Sequence, residues 1–290
     1  EKMWYTGFMR PWEGFKDAVL DNWLNQSYTD IFKEVQGTRW SGHFFNKKIT
    51  VVRDDAELFE SDFEDDVLLS ALSVMDRLLI TESLKRLTRT RGCLMANAEE
   101  EDIATEDCVW APRYVFRFNN FGERRETRLI GHVEFLAGRP GALSEAYELR
   151  KTAKWGSLRC VLGDIVQWML MNDHRYSFLV STDEIMFLRM DIKAVKVNDR
   201  NNNLQPKTVL YEPWLHYSVP MKIADAFDYG KNTITTRMGI FHLLWLVIQD
   251  DRKWRLPAET GNCLNYATFT GDEEDLIPRR TCVPGPCVAK

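Results

Sequence analysis

Two hydrophobic periods divide the chain. After Pro11, the segment "PWEGFKDAVLDNWLNQ" sets Phe15, Val19 and Trp23 four residues apart, the spacing of one helix face. An acidic approach, "DDAELFESDFEDDVLL", leads into a second helix predicted from about Asp62 to Leu87. Its buried stripe would be Val67, Leu68, Ala71, Leu72, Met75, Leu78 and Leu79. Acidic residues favour a helix N-terminus, and Lys85, Arg86, Arg89 and Arg91 suit its C-terminus, with Gly92 as the cap. The same basic cluster has the charge to contact phosphate.

The period then shortens. "NAEEEDIATED" is an acidic, solvated loop, and "RYVFRF" alternates as a strand does. With the turn "NNFGERRE" and the strand "TRLIGHVEF" it reads as a hairpin. "GRPGALSEA" reads as a loop. "WGSLRCVLGDIVQWMLMND" reads as a helix, with Leu158, Val161, Leu162, Ile165, Trp168 and Met169 on one face and Cys160 as a core thiol. "HRYSFLVSTDEIMFLRMDI" is two strands around the turn "STDE", where Asp183 and Glu184 serve the turn. "NDRNNNLQP" is a polar loop and "KTVLYEPWL" a short strand. "NTITTRMGIFHLLWLVIQDD" closes the fold as a helix capped by Thr233 or Asn232. Within it, His242 is expected as a hydrogen-bonded core residue.

This order predicts an α/β fold, a central mixed sheet flanked by helices. The chain reads as a single domain over residues 1–290. It comprises a helical, aromatic-rich N-terminal part (1–95), an α/β core (96–250) and an irregular tail (251–290). The aromatic stripe near the start is read as core rather than as a ligand cage.

Composition narrows the function. A formal net charge of −5 argues against a dedicated non-specific nucleic-acid binder, without excluding a local basic groove. The opening "EKMWYTGFMRPW" has no charged region followed by an apolar run, so no secretory leader is expected in it. "IFHLLWLVI" is too short to span a bilayer, so no membrane association is expected. Six scattered cysteines without a C-x-x-C pair argue against a zinc ribbon. They suit an intracellular protein, nuclear or cytoplasmic, better than a secreted disulfide scaffold. Cys282 and Cys287, flanking "VPGP", read as tail thiols, with a small disulfide or half a metal site as the alternative. No phosphate-binding glycine loop, dinucleotide fingerprint or serine-hydrolase elbow is present. The five histidines never fall in metal-ligand pairs at helical spacing.

In "LIGHVEFLAG", His132 and Glu134 stand two apart on a predicted strand. They therefore point to one face near its end. Such a pair fits a catalytic site, the remnant of one, or an ordinary polar strand end.

From about Ala111 to Gln249 the chain resembles fungal proteins with a PD-(D/E)XK nuclease-like domain. The pieces are "APRYVF", "LIGHVEF", "LGDIVQWMLMNDHRYSFLVSTDEIMFLR" and "TTRMGIFHLLWLV", in that order. The resemblance implies a restriction-endonuclease-like core. Its site would hold one or two divalent metals on acidic residues of two strands, with a lysine at the phosphate. The motif here is degenerate. Arg113 stands at the aspartate position, His132 at the glutamate, Glu134 at the lysine, and Asp164 replaces a helix glutamine. A guanidinium stays charged and repels a metal. Arg113 is expected to pair with Glu134.

Three functions follow. The first is a pseudoenzyme: an inactive nuclease-like scaffold or adaptor that binds a protein partner or forms a homodimer, with no cofactor. The second is a metal-dependent nuclease with a migrated acidic site, Asp107, Glu134, Glu148 and Asp164 holding magnesium. The third is nucleic-acid binding without cleavage, through Arg113, Arg124, Arg125, Arg128, Lys151 and Lys154.

Overall fold

The computed structural model describes residues 4–24, 56–80, 90–96, 110–120, 125–134, 139–150, 156–197, 208–250 and 263–264. Lys85, Arg86 and Arg89, the acidic segment 97–107, the polar loop 198–206, Cys282 and Cys287 lie outside these residues.

Nine described strands form one mixed sheet. They are β1 (Phe8–Pro11), β2 (Thr90–Ala96), β3 (Tyr114–Asn120), β4 (Glu126–Val133), β5 (Tyr176–Val180), β6 (Glu184–Val197), β7 (Thr208–Tyr217), β8 (Met221–Lys222) and β9 (Cys263–Leu264). The main order is β1-β7-β6-β5-β4-β3-β2, with β8 beside β6 and β9 beside β7. The two predicted hairpins form: β3 pairs antiparallel with β4, and β5 with β6. Strand β5 lies parallel to β4, which requires a crossover, and helices α4 (Ala142–Leu149) and α5 (Gly156–Met171) lie on it.

All five residues of β5 are buried. A strand covered on both faces reads as a continuous apolar run, as "YSFLV" does. One face carries Leu129, Phe178 and Phe187 against α1 (Phe15–Leu24), α2 (Ala56–Phe63), α3 (Ser70–Leu79) and α6 (Thr236–Gln249). The other carries Ile130, Leu179 and Leu188 against α4 and α5.

Several elements differ from their sequence expectation. The second helix starts at Ala56, six residues early, and its α3 part ends at Leu79. Between α2 and α3 a π-helical stretch runs from Glu64 to Leu69. Its wider hydrogen-bond ring suits a side-chain donor: the buried Arg237 of α6 donates to the Asp66 carbonyl. The expected stripe from Val67 to Leu79 is buried throughout. Arg91 and Gly92 lie in β2, at a register shift, so they do not end a helix. Phe8–Pro11 is a strand and not part of a helical extension. Buried Arg159 on α5 binds that segment, donating to the Tyr5 and Gly7 carbonyls at 2.7 and 2.9 Å.

"ALSEAYEL" is helix α4 and not loop. Its helix-favouring residues follow Gly141, whose φ of 77° ends the preceding turn. Its N-terminal amides are met from across the fold: Asp183 accepts from Gly141 N at 2.9 Å and Glu184 from Ser144 N at 3.0 Å. Asp183 and Glu184 thus do more than shape a turn. The cap of α6 is Thr235, whose Oγ1 accepts from Met238 N at 3.3 Å. Asn232 sits instead in a left-handed turn, and Thr233 Oγ1 donates to the Ala226 carbonyl. Cys160 is only half-buried. The predicted core histidine is as expected, with His242 buried and Asn22 Nδ2 3.5 Å from its Nδ1.

Two expected outcomes test this packing. A Cβ on Gly131 would stand 2.0 Å from the Phe178 ring. Gly131→Ala should therefore cost about 1–3 kcal/mol in urea unfolding, from overpacking. Burial also pushes the His242 imidazole down to about 4. The unfolded chain then binds the extra proton, so this contribution is complete above the ordinary histidine value and is lost as pH falls toward the folded value. Stability should fall by about 2 kcal/mol between pH 7 and pH 5 from this group alone, and urea midpoints of His242→Leu should lose that slope.

Candidate functional site

The His132–Glu134 pair lies at the end of the hairpin. His132 falls on the β4 residue whose register partner is Leu179 on β5, and Glu134 follows just past the strand, its N–H donating to the Val180 carbonyl at 2.7 Å. Both side chains reach one side, His132 Nε2 standing 3.9 Å from Glu134 Oε2. Trp110 closes on the imidazole, with ring centroids 4.7 Å apart, and meets Trp168 of α5 in turn. The pair therefore belongs to the α5 side of the sheet.

Arg113 does not join it. Its Nε lies 3.0 Å from Glu60 Oε2 on α2, and its side chain is 44% exposed. This corrects the expected Arg113–Glu134 pair. The reason is directional: α2 packs on the other face of the sheet and presents a carboxylate to the start of β3. Asp164 lies half-buried in the middle of α5, and Glu148 is exposed on α4. Asp107 lies outside the described residues. Among the described residues, no three histidine, cysteine or acidic side chains come together as a metal cage. The residues at the motif positions do not fit a magnesium site, because a permanent cation occupies the first acidic position.

Of the expected nucleic-acid contacts, Arg113, Arg125 and Arg128 are among the described residues. Arg125 is exposed just before β4. Arg128 serves the fold, donating from Nη2 to the Asp250 carbonyl at 2.8 Å and lying 5.9 Å from the Phe118 ring centre. Arg124, Lys151 and Lys154 lie outside the described residues.

A denser polar site forms three strands away. Arg10, His216 and Arg189 are successive register partners across β1, β7 and β6. Register partners point to one face, so three basic side chains stand in a row. Asp191, two residues along β6, reaches back to them. It accepts from Arg175 Nη2 at 2.8 Å, and its Oδ2 lies 2.9 Å from Arg189 Nη2 and 3.1 Å from His216 Nε2. Arg175 also binds Asp250 at the end of α6, at 2.8 Å.

This arrangement fixes the imidazole. With Nε2–H given to Asp191, only Nδ1 can accept, and Arg189 Nη2 lies 3.2 Å from it. Arg10 Nε approaches the same ring, 3.3 Å from Nδ1 and 3.1 Å from Nε2. Burial lowers the His216 pKa, and neighbouring guanidiniums oppose the raising effect of Asp191. Burial alone would raise the Asp191 carboxyl, yet hydrogen bonds from His216 and Arg175 and the nearby arginine charges hold it well below the usual carboxylate range. Arg10, Pro11, Trp12, Glu13, Arg189 and His216 line a pocket of about 380 Å³ here. Sequence reading missed this site because its members are scattered from residue 10 to residue 250. The one available signal was the charged and aromatic alternation in "FLRMDIK" and "EPWLHY".

No protein-family model matches the chain, and no curated protein matches it.

Asp191 is the shared acceptor of this site. Asp191→Asn is expected to cost about 2 kcal/mol in urea unfolding, because it leaves clustered guanidiniums without their counter-charge. A depressed folded pKa stabilises above the unfolded value and loses that effect as pH falls. The gap between wild type and variant should therefore be constant above about pH 4 and shrink below it.

Proposed function

We propose that the chain is a nuclease-like domain that does not cleave and that serves as a scaffold or adaptor for a protein partner or a second copy of itself. The observation that carries this reading is the Arg113–Glu60 ion pair at 3.0 Å. It commits a fixed positive charge to the place where metal-assisted phosphodiester cleavage needs a carboxylate. The order of strands supports the nuclease-like part of the reading. The segments resembling the family fall on β3, on β4 and on α5-β5-β6, and their strands are neighbours in one sheet. The His132–Glu134 pair, packed under Trp110, supports the loss of the reaction: an imidazole and a carboxylate stand where an acid and a lysine would act.

The test is calorimetry with magnesium and manganese on wild type and Glu134→Ala, with cleavage of single-stranded and duplex DNA followed on the same samples. No metal-dependent cleavage is expected from either protein. Cleavage by the wild type that disappears in Glu134→Ala would overturn the reading. Sedimentation of the chain and affinity capture before and after nucleic-acid digestion address the binding role. Self-association or a partner retained after digestion agrees with a scaffold. Capture that depends on nucleic acid favours the nucleic-acid-binding alternative.

A further inference from the structure

We propose that the pocket between β1, β6 and β7 binds a phosphate group carried on a small molecule. Three features of the site converge on an anion. First, one cation of the site has no counter-charge in contact with it among the described residues. Asp191 is shared by Arg175, Arg189 and His216, whereas Arg10, which is exposed, has no carboxylate partner among the described residues. Its Nε faces the His216 ring, and Arg189 approaches the same ring. Two guanidiniums thus converge on one imidazole, and an anion between them relieves their repulsion.

Second, donors remain. The buried Nε of Arg189 has no hydrogen-bond partner among the described residues. The terminal nitrogens of Arg10 add donors from another strand. Guanidinium forks suit oxyanions with several acceptor atoms, and donors arriving from two strands suit a tetrahedral phosphate better than one planar carboxylate. Third, the site is rigid and roomy. Trp214 stacks on Phe8 at 4.9 Å and lies under Arg10, while Arg189 lies over Trp12 at 5.1 Å. These contacts hold both arginines before any ligand arrives. The volume of about 380 Å³ falls within the range of small-molecule sites and exceeds the needs of one free phosphate. Glu13 on the rim adds a negative charge, which disfavours a polyanion and favours a single phosphate monoester.

The experiment titrates the whole chain with inorganic phosphate and, separately, with glycerol phosphate, at constant ionic strength. Binding is read by calorimetry and by the Trp12 indole and His216 ring resonances. Arg10→Gln is compared with Arg139→Gln, an exposed change beside helix α4. The ester is expected to bind, to shift both resonances, and to bind roughly tenfold more weakly to Arg10→Gln, the factor that one charge-assisted contact commands. Arg139→Gln is expected to match wild type. Binding of the ester alone identifies a phosphorylated small molecule as the source, and equal binding of both probes identifies the phosphate ion. Titrations that leave the Trp12 and His216 resonances of the wild type unmoved would overturn the proposal, whether or not Arg10→Gln folds. Equal affinities of wild type and a folded Arg10→Gln would overturn it as well.

Discussion

Every layer of this molecule is arranged around β5, whose five buried residues pair with β4 on one side and β6 on the other. A strand at that position exposes neither face to water, so both faces must be supplied with apolar cover. One cover comes from α4 and α5, the crossover that a parallel β4–β5 pair requires. The other comes from α6 and the α2–α3 helix, drawn from opposite ends of the described chain. The close approach of Gly239 on α6 to Phe187 shows how tightly this second cover is set against the strands.

Polar groups then fix what apolar burial leaves free. Burial does not specify how a helix is anchored, and here three helices are anchored by contacts with distant residues. Asp183 and Glu184 meet the first amides of α4, Arg237 ties α6 to the π stretch before α3, and Arg159 ties α5 to the N-terminal segment. Each interaction satisfies a buried polar group that would otherwise cost desolvation energy. Together they explain why polar side chains as buried as Asp183, Glu184, Arg159 and Arg237 occur in this interior.

The sheet changes character toward β1. Along β6, the face that carries Ile185 and Phe187 in the core continues as Arg189 and Asp191. Register extends that change sideways to His216 and Arg10. The same alternation that builds the core therefore builds the polar pocket, once the helical cover ends. The His132–Glu134 pair lies on the opposite face, so the two polar regions are separate in space and in chemistry.

Much of the fold was legible in the sequence. The periodicity from Val67 to Leu79, the apolar run of β5, the two hairpins and the burial of His242 follow from local pattern, because each reports which side of an element meets water. The adjacency of His132 and Glu134 was legible for the same reason. Tertiary structure alone decided the rest. "GRPGALSEA" looked like a loop because its capping carboxylates lie about forty residues away, at Asp183 and Glu184. Arg113 chose Glu60 over Glu134 because helix α2 packs against the start of β3. Arg10, Arg189 and His216 became one site only through strand register, which pairs residues far apart in the chain. The sequence by itself determined which faces are apolar, since that is a property of neighbouring residues. The structure determined which charges meet, since that depends on contacts between distant ones.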